Sequence, residues 1–162
     1  MKEIVVALDV QLWEGERQRV WSHGTTNVEA WECVRLSAPV ILGHQNDQLP
    51  KAFARLNRAL ELDPEYAIAW VMLGWYHQIF AEVVTGLNRR EKVLESVAKM
   101  RACADQALAI DKDCADAYSL LALAHMELRE FEEAMSCAEK SVELAPGNAE
   151  NLAEASVVMT KC

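Results

Sequence analysis

The chain has 162 residues, of which 52% are hydrophobic and 25% charged, and its formal net charge is −9. That length suits one domain with a real core, and the composition excludes a disordered chain. The negative balance argues against nucleic acid, whose binding is driven largely by Lys and Arg neutralising phosphates.

The charge is uneven. Eight acids face three bases from Met126 to Cys162, and five bases face two acids from Leu87 to Arg101, a run read as a solvated helix face. The five cysteines (Cys33, Cys103, Cys114, Cys137, Cys162) are odd in number and contain no CxxC. Four lie inside helical patterns, where a free thiol acts as a small apolar group, so a reducing, cytoplasmic setting is expected. No Cys or His pair has metal-ligand spacing, and neither a metal nor a cofactor is expected. The apolar run Ile4 to Leu8 is too short for a signal peptide, and no uncharged apolar stretch is long enough to span a bilayer.

Four prolines and six glycines among plentiful Ala, Leu and Glu favour helix. Ile4, Leu8 and Leu12 form one helical stripe, which Glu16 to Trp21 continues until Ser22-His23-Gly24. Thr25-Thr26-Asn27 offers an N-cap for a helix from about Val28, with Glu29 in its first turn and Trp31, Val34 and Leu36 apolar. Pro39 should kink or stop that helix near Ala38. After the polar loop Gly43 to Asp47, Asn46 or Asp47 caps a helix that has Pro50 in its first turn. It runs to about Leu62, with Ala52, Leu56, Ala59 and Leu60 on one side, and Asp63-Pro64 stops it. Tyr66 to about Val84 is the most apolar helix, and Thr85 to Asn88 is the break after it. Asn88 to Ile110 is a long helix, and Asp111-Lys112-Asp113 turns the chain into helices Ala115 to Leu128 and Phe131 to Leu144. Past Pro146-Gly147, Asn148 caps a last helix expected to turn Leu152, Ala155 and Met159 inward.

Three segments end alike: Ala59-Leu-Glu-Leu-Asp-Pro64, Ala107-Leu-Ala-Ile-Asp-Lys112 and Ser141-Val-Glu-Leu-Ala-Pro146. The last two ends are 34 residues apart, the tetratricopeptide period. The pattern W-x2-L-G-x2-Y is matched by Trp70, Leu73, Gly74 and His77, and again by Tyr118, Leu121, Ala122 and His125. Later small residues are matched by Ala52 and Ala59, and by Ala134 and Ala138. The chemistry explains the spacing: a ring fills the gap between two antiparallel helices, and a small residue lets them approach. Pro64 and Lys112 are 48 residues apart, so the middle unit has longer helices or loop around Val83 to Arg90.

The chain therefore resembles the tetratricopeptide-repeat family. The resemblance implies an all-α right-handed superhelix of about three helix-turn-helix repeats with flanking helices. It divides the chain into an N-terminal helical segment (1–26), repeats over 27–147 (27–64, 65–112, 113–146) and a capping helix (148–162). The beginning, with Gly15-Glu16, Thr25-Thr26-Asn27 and Glu29-Ala30, together with the first two repeats, looks like the C-terminal region of bacterial class III adenylate or guanylate cyclases. There a cyclase domain and a linker domain precede a tetratricopeptide tail. That resemblance implies a regulatory tail, since the metal-binding aspartates of the cyclase domain have no counterpart here.

In this family the first helix of each repeat lines a concave groove. The residues so implied are Ile68, Val71, Met72, Trp75, Gln78 and Ile79, then Asp116, Ser119, Leu123, Met126 and Glu127. The middle of that surface is apolar, which suits a helix or peptide partner, unless Met72 and Trp75 are spent on internal packing. Relatives that clamp a carboxylate tail use Lys, Asn and Arg, whereas the corresponding places here carry Glu29, Glu32, Ile68, Asp116 and Leu123. Acids repel such a tail, so this clamp is not expected. His23, His44, His77 and His125 are scattered, and no nucleophile, phosphate-loop or HExxH motif occurs, so no enzyme is expected. The expected function is a protein-interaction module. The alternative is a homodimer formed through the end helices, where Val157 and Val158 accompany Leu152 and Met159.

Overall fold

The computed structural model describes residues 24–43, 46–83 and 89–161. The stripe at Ile4, Leu8 and Leu12 and the break at Thr85 to Asn88 lie outside the described residues.

Asn27 starts the first described helix, α1 (Val28–Leu42): its Oδ1 accepts from the Ala30 amide at 3.1 Å. The same cap ties α1 to the far end of α2 (Leu49–Leu62). Asn27 Nδ2 donates to the Leu62 carbonyl at 3.3 Å, and the Thr25 hydroxyl donates to the Asp63 carboxylate.

Of the two outcomes expected at Pro39, a kink or a stop, α1 does not stop there. The helix continues to Leu42 because its last turn is held by burial: Ala38, Val40 and Ile41 are each at most 5% exposed. The Gly43 amide closes the end on the Pro39 carbonyl at 3.0 Å. Beyond a short 3₁₀ turn at Asn46–Gln48, α2 has Pro50 in its first turn and buries Leu49, Ala52, Leu56 and Ala59. The N-cap position falls on Gln48, which makes no side-chain cap bond, rather than on Asn46 or Asp47 as expected from sequence.

The chain reverses at Asp63-Pro64-Glu65, where Asp63 Oδ1 accepts from the Glu65 amide at 3.1 Å. Helix α3 (Ala67–Val83) follows, and Trp70 Nε1 donates back to the Pro64 carbonyl at 2.9 Å. Helix α4 (Arg89–Ile110) is the long one. Asp111 Oδ1 then accepts from the Asp113 amide at 3.0 Å and leads into α5 (Ala115–Leu128). Arg129, at φ 63°, forms the left-handed C-cap of α5 before α6 (Phe131–Leu144) begins. Asn148 Oδ1 accepts from the amides of Glu150 and Asn151 and caps α7 (Ala149–Lys161).

All seven described elements longer than one turn are α-helices. They pack as antiparallel pairs, α1 with α2, α3 with α4 and α5 with α6. Each pair leans on the next, and α1, α3, α5 and α7 touch in succession along one row. The result is an all-α solenoid. Two apolar clusters fill it. One joins α1 to α3, and the other joins α3 through α7. Trp70 and Trp75 pack against both and weld them together. Between α5 and α6 the buried hydroxyls of Ser119 and Ser141 lie 2.7 Å apart and satisfy each other.

The inward face of α7 is Asn151, Ala155 and Val158. Leu152 and Met159 point out, at 43% and 46% exposed, which corrects the inward stripe expected from sequence. Asn148, the cap of α7, also donates through Nδ2 to Asp116 at 3.3 Å and so ties the start of α7 to α5.

Candidate binding groove

The row α1, α3, α5, α7 encloses a concavity of about 940 Å³. Helical period places its walls. Along α3, Ile68, Met72, Trp75, Ile79 and Glu82 recur every three or four residues and share one face. Along α5 the corresponding face is Asp116, Leu123, Met126 and Glu127, and along α7 it is Glu150, Glu154, Val157 and Lys161. Val93, Val97 and Met100 of α4 close the floor.

The residues expected at the groove do not all share one place. Ile68, Met72, Trp75, Gln78, Ile79, Leu123 and Met126 line the concavity, together with Asp116 and Glu127. Val71 and Ser119 do not. Val71 is fully buried in the cluster that holds Met100 and Leu120, and Ser119 is spent on its bond to Ser141. Met72, Ile79 and Leu123 are floor rather than rim, at 3%, 2% and 5% exposed. Ile68, Trp75, Gln78 and Met126 are half-buried and offer contact area. Sequence reasoning missed the wall that α7 supplies through positions 150, 154, 157 and 161.

The rim is acidic. Among the described residues, seven carboxylates (Glu82, Asp111, Asp113, Asp116, Glu127, Glu150 and Glu154) and two cations (Arg89 and Lys161) line the concavity. Gln78 Nε2 donates to Glu82 Oε1 at 2.5 Å and orients that acid. Glu29 and Glu32, by contrast, face Arg58 at 3.1 Å and Arg35 at 3.9 Å on the surface.

The histidines that match the repeat position do not converge. His77 sits in an aromatic cluster with Phe53 and Tyr76, ring centroids 6.3 and 5.3 Å away. Burial, with Lys99 adding to it, pushes its pKa down to about 4, so it is neutral at pH 7. His125 Nδ1 lies 2.6 Å from Glu130 Oε2, whose carboxylate also meets Arg101 at 3.6 Å. His125 thereby ties the end of α5 to the start of α6. Burial holds the thiols of Cys103 and Cys114 near 12, and they pack as apolar groups. Among the described residues no group of three His, Cys, Asp or Glu side chains gathers as for a metal ion, and no helix is long and apolar enough to cross a membrane.

Residues 115–148 match the family model "Tetratricopeptide repeat". No curated protein matches the sequence. Several solved structures match the fold. The first TPR domain of human RPAP3 is 16% identical, with a TM-score of 0.63, over 82% of this chain and 91% of that one. The Sgt2 TPR domain from Aspergillus fumigatus is 15% identical, with a TM-score of 0.63, over 83% and 80%. The first TPR of Spaghetti (RPAP3), solved bound to the HSP90 peptide SRMEEVD, is 17% identical, with a TM-score of 0.60, over 82% and 94%. The chain thus carries a tetratricopeptide repeat at 115–148, set within a fold that it shares with tetratricopeptide-repeat domains.

Proposed function

We propose that the chain is a non-catalytic protein-interaction module that holds a helix or extended peptide in the groove of α3, α5 and α7. The observation that carries this reading is the apolar floor (Met72, Ile79, Leu123) with half-buried Trp75 and Met126 above it, inside one concavity of about 940 Å³. The Spaghetti domain, of like fold, holds a peptide in its solved structure, which supports the class of activity. The cytoplasm is the proposed setting, on the strength of the buried, unbonded thiols. The likeness of the N-terminal residues and first two repeats to cyclase tails supports a regulatory role beside a cyclase-like domain.

Selection from a displayed peptide library tests the groove. Selected peptides should lose about tenfold or more in affinity on Trp75→Ala with Met126→Ala, roughly the 1.4 kcal/mol of one decade. Because Trp75 packs on both clusters, Met126→Ala alone accompanies it, and unfolding is checked by circular dichroism. Selected peptides that bind both variants as well as the parent would refute the assignment.

A second reading, a homodimer through the end helix, is favoured by Leu152 and Met159 standing exposed on α7. Light scattering across a range of concentrations is its test, and a mass independent of concentration excludes it.

A further inference from the structure

Helix α7 repeats α5 at the tetratricopeptide period. Tyr118, Ala122 and His125 of α5 have Leu152, Ser156 and Met159 of α7 34 residues on. The rotations agree as well. Ala117, Leu121 and Ala124 are buried on α5, and their counterparts Asn151, Ala155 and Val158 are buried on α7. On α5 the face of Tyr118, Ala122 and His125 receives α6, where His125 meets Glu130 at 2.6 Å. On α3 the matching face, Trp70, Gly74 and His77, lies against α4: a Cβ at Gly74 would sit 3.3 Å from Cys103 Cβ, and the charge of Lys99 reaches His77. On α7 the same face is bare. Leu152 and Met159 are 43% and 46% exposed, and Ser156 between them is exposed too. Among the described residues α7 is the first helix of a repeat without its second.

We propose that this outer face of α7 docks a partner's helix, antiparallel to α7, and so completes a fourth helix pair. The chain's own α6 states the chemistry of that helix. Its buried residues, Ala134, Ala138 and Ser141, put small side chains at i, i+4 and i+7. Such a seam lets two backbones approach while Leu152 and Met159 fill the spaces beside it. The docking continues the α3–α4 and α5–α6 contacts by one step, and it uses a different face of α7 from the groove wall at Glu150, Glu154, Val157 and Lys161. It competes with the homodimer for Leu152 and Met159. A second α7 would set those two against large residues of their own kind, whereas α5 and α6 set large against small.

The test uses the full chain and a labelled peptide of residues 130–146, held helical by a link between the exposed positions 132 and 136. By fluorescence anisotropy it should bind saturably. A peptide differing only by Ala134→Leu with Ala138→Leu should bind at least about tenfold weaker, although it is the more apolar. Leu152→Asp with Met159→Asp in the chain, both at exposed positions, should weaken binding at least about tenfold. Ser156→Trp, which fills the small place, should do the same, and this loss separates docking on α7 from exchange with the chain's own α6. Circular dichroism checks that each variant is folded. No saturable binding up to about 1 mM peptide overturns the proposal. Leucine-bearing peptide that binds as tightly, or binding untouched by the α7 variants, overturns it as well. A chain that dimerises without peptide and loses the dimer on Leu152→Asp with Met159→Asp overturns it in favour of the second copy.

Discussion

A Cβ at position 74 would sit 2.1 Å from Leu120 Cδ2 and 3.3 Å from Cys103 Cβ. Gly74 is therefore where α3 is drawn down onto α4 and α5 together, and the close approach rather than backbone freedom requires glycine. Gly74→Ala should destabilise the chain by about 1–3 kcal/mol, the usual cost of overpacking, and thermal unfolding should show it as a drop of several degrees. An unchanged midpoint would mean that Leu120 moves aside freely. The repeat pattern marked this glycine before any coordinates. It could not mark Val71 as core, because Val71 lies between two groove residues on the same helix and only the nearness of α5 decides which way that flank turns. His77 was legible as structural from its repeat position. Its neutral state was not, since that follows from burial and from Lys99 on the next helix.

Helix boundaries were legible wherever a side chain closes a helix on itself. Asn27 and Asn148 accept from amides two or three residues ahead, and such caps are local chemistry. Whether Pro39 stops its helix depends on partners, which the sequence does not show. The helix loses one bond there but keeps the buried turn Ala38, Val40 and Ile41. The rotation of α7 was also beyond a single helix's pattern. Leu152, Ala155 and Met159 form as good a stripe as Asn151, Ala155 and Val158, and only packing against the rest of the row chooses between them. The choice has a consequence for α7. If its exposed pair joins two chains, Leu152→Ser with Met159→Ser should return the scattering mass to that of one chain at every concentration. A dimer that persists would place the contact elsewhere.

At the scale of the molecule, alternation of ring and small residue at a recurring interval builds helix pairs, and stacking the pairs leaves one row of helices facing a hollow. The interval was readable at 113–146 and weaker upstream, where the 14 extra residues before Lys112 lengthen the middle unit. The apolar half of the groove was readable from α3 and α5. Its acidic lining was not, because four of the seven carboxylates come from the turn before α5 and from α7 and gather only when the row is stacked: Asp111, Asp113, Glu150 and Glu154. The claim underlying all of this is that partners dock on that inner row. Backbone amide and indole shifts recorded by NMR while a library-selected peptide is titrated in test it most directly. Changes should concentrate on Ile68 to Glu82, Asp116 to Glu127 and Glu150 to Lys161, with the Trp75 indole among the largest, while Phe53 and the outer face of α6 stay still. Shifts centred on Phe53 and Phe80, or on Leu152 and Met159 alone, would contradict it.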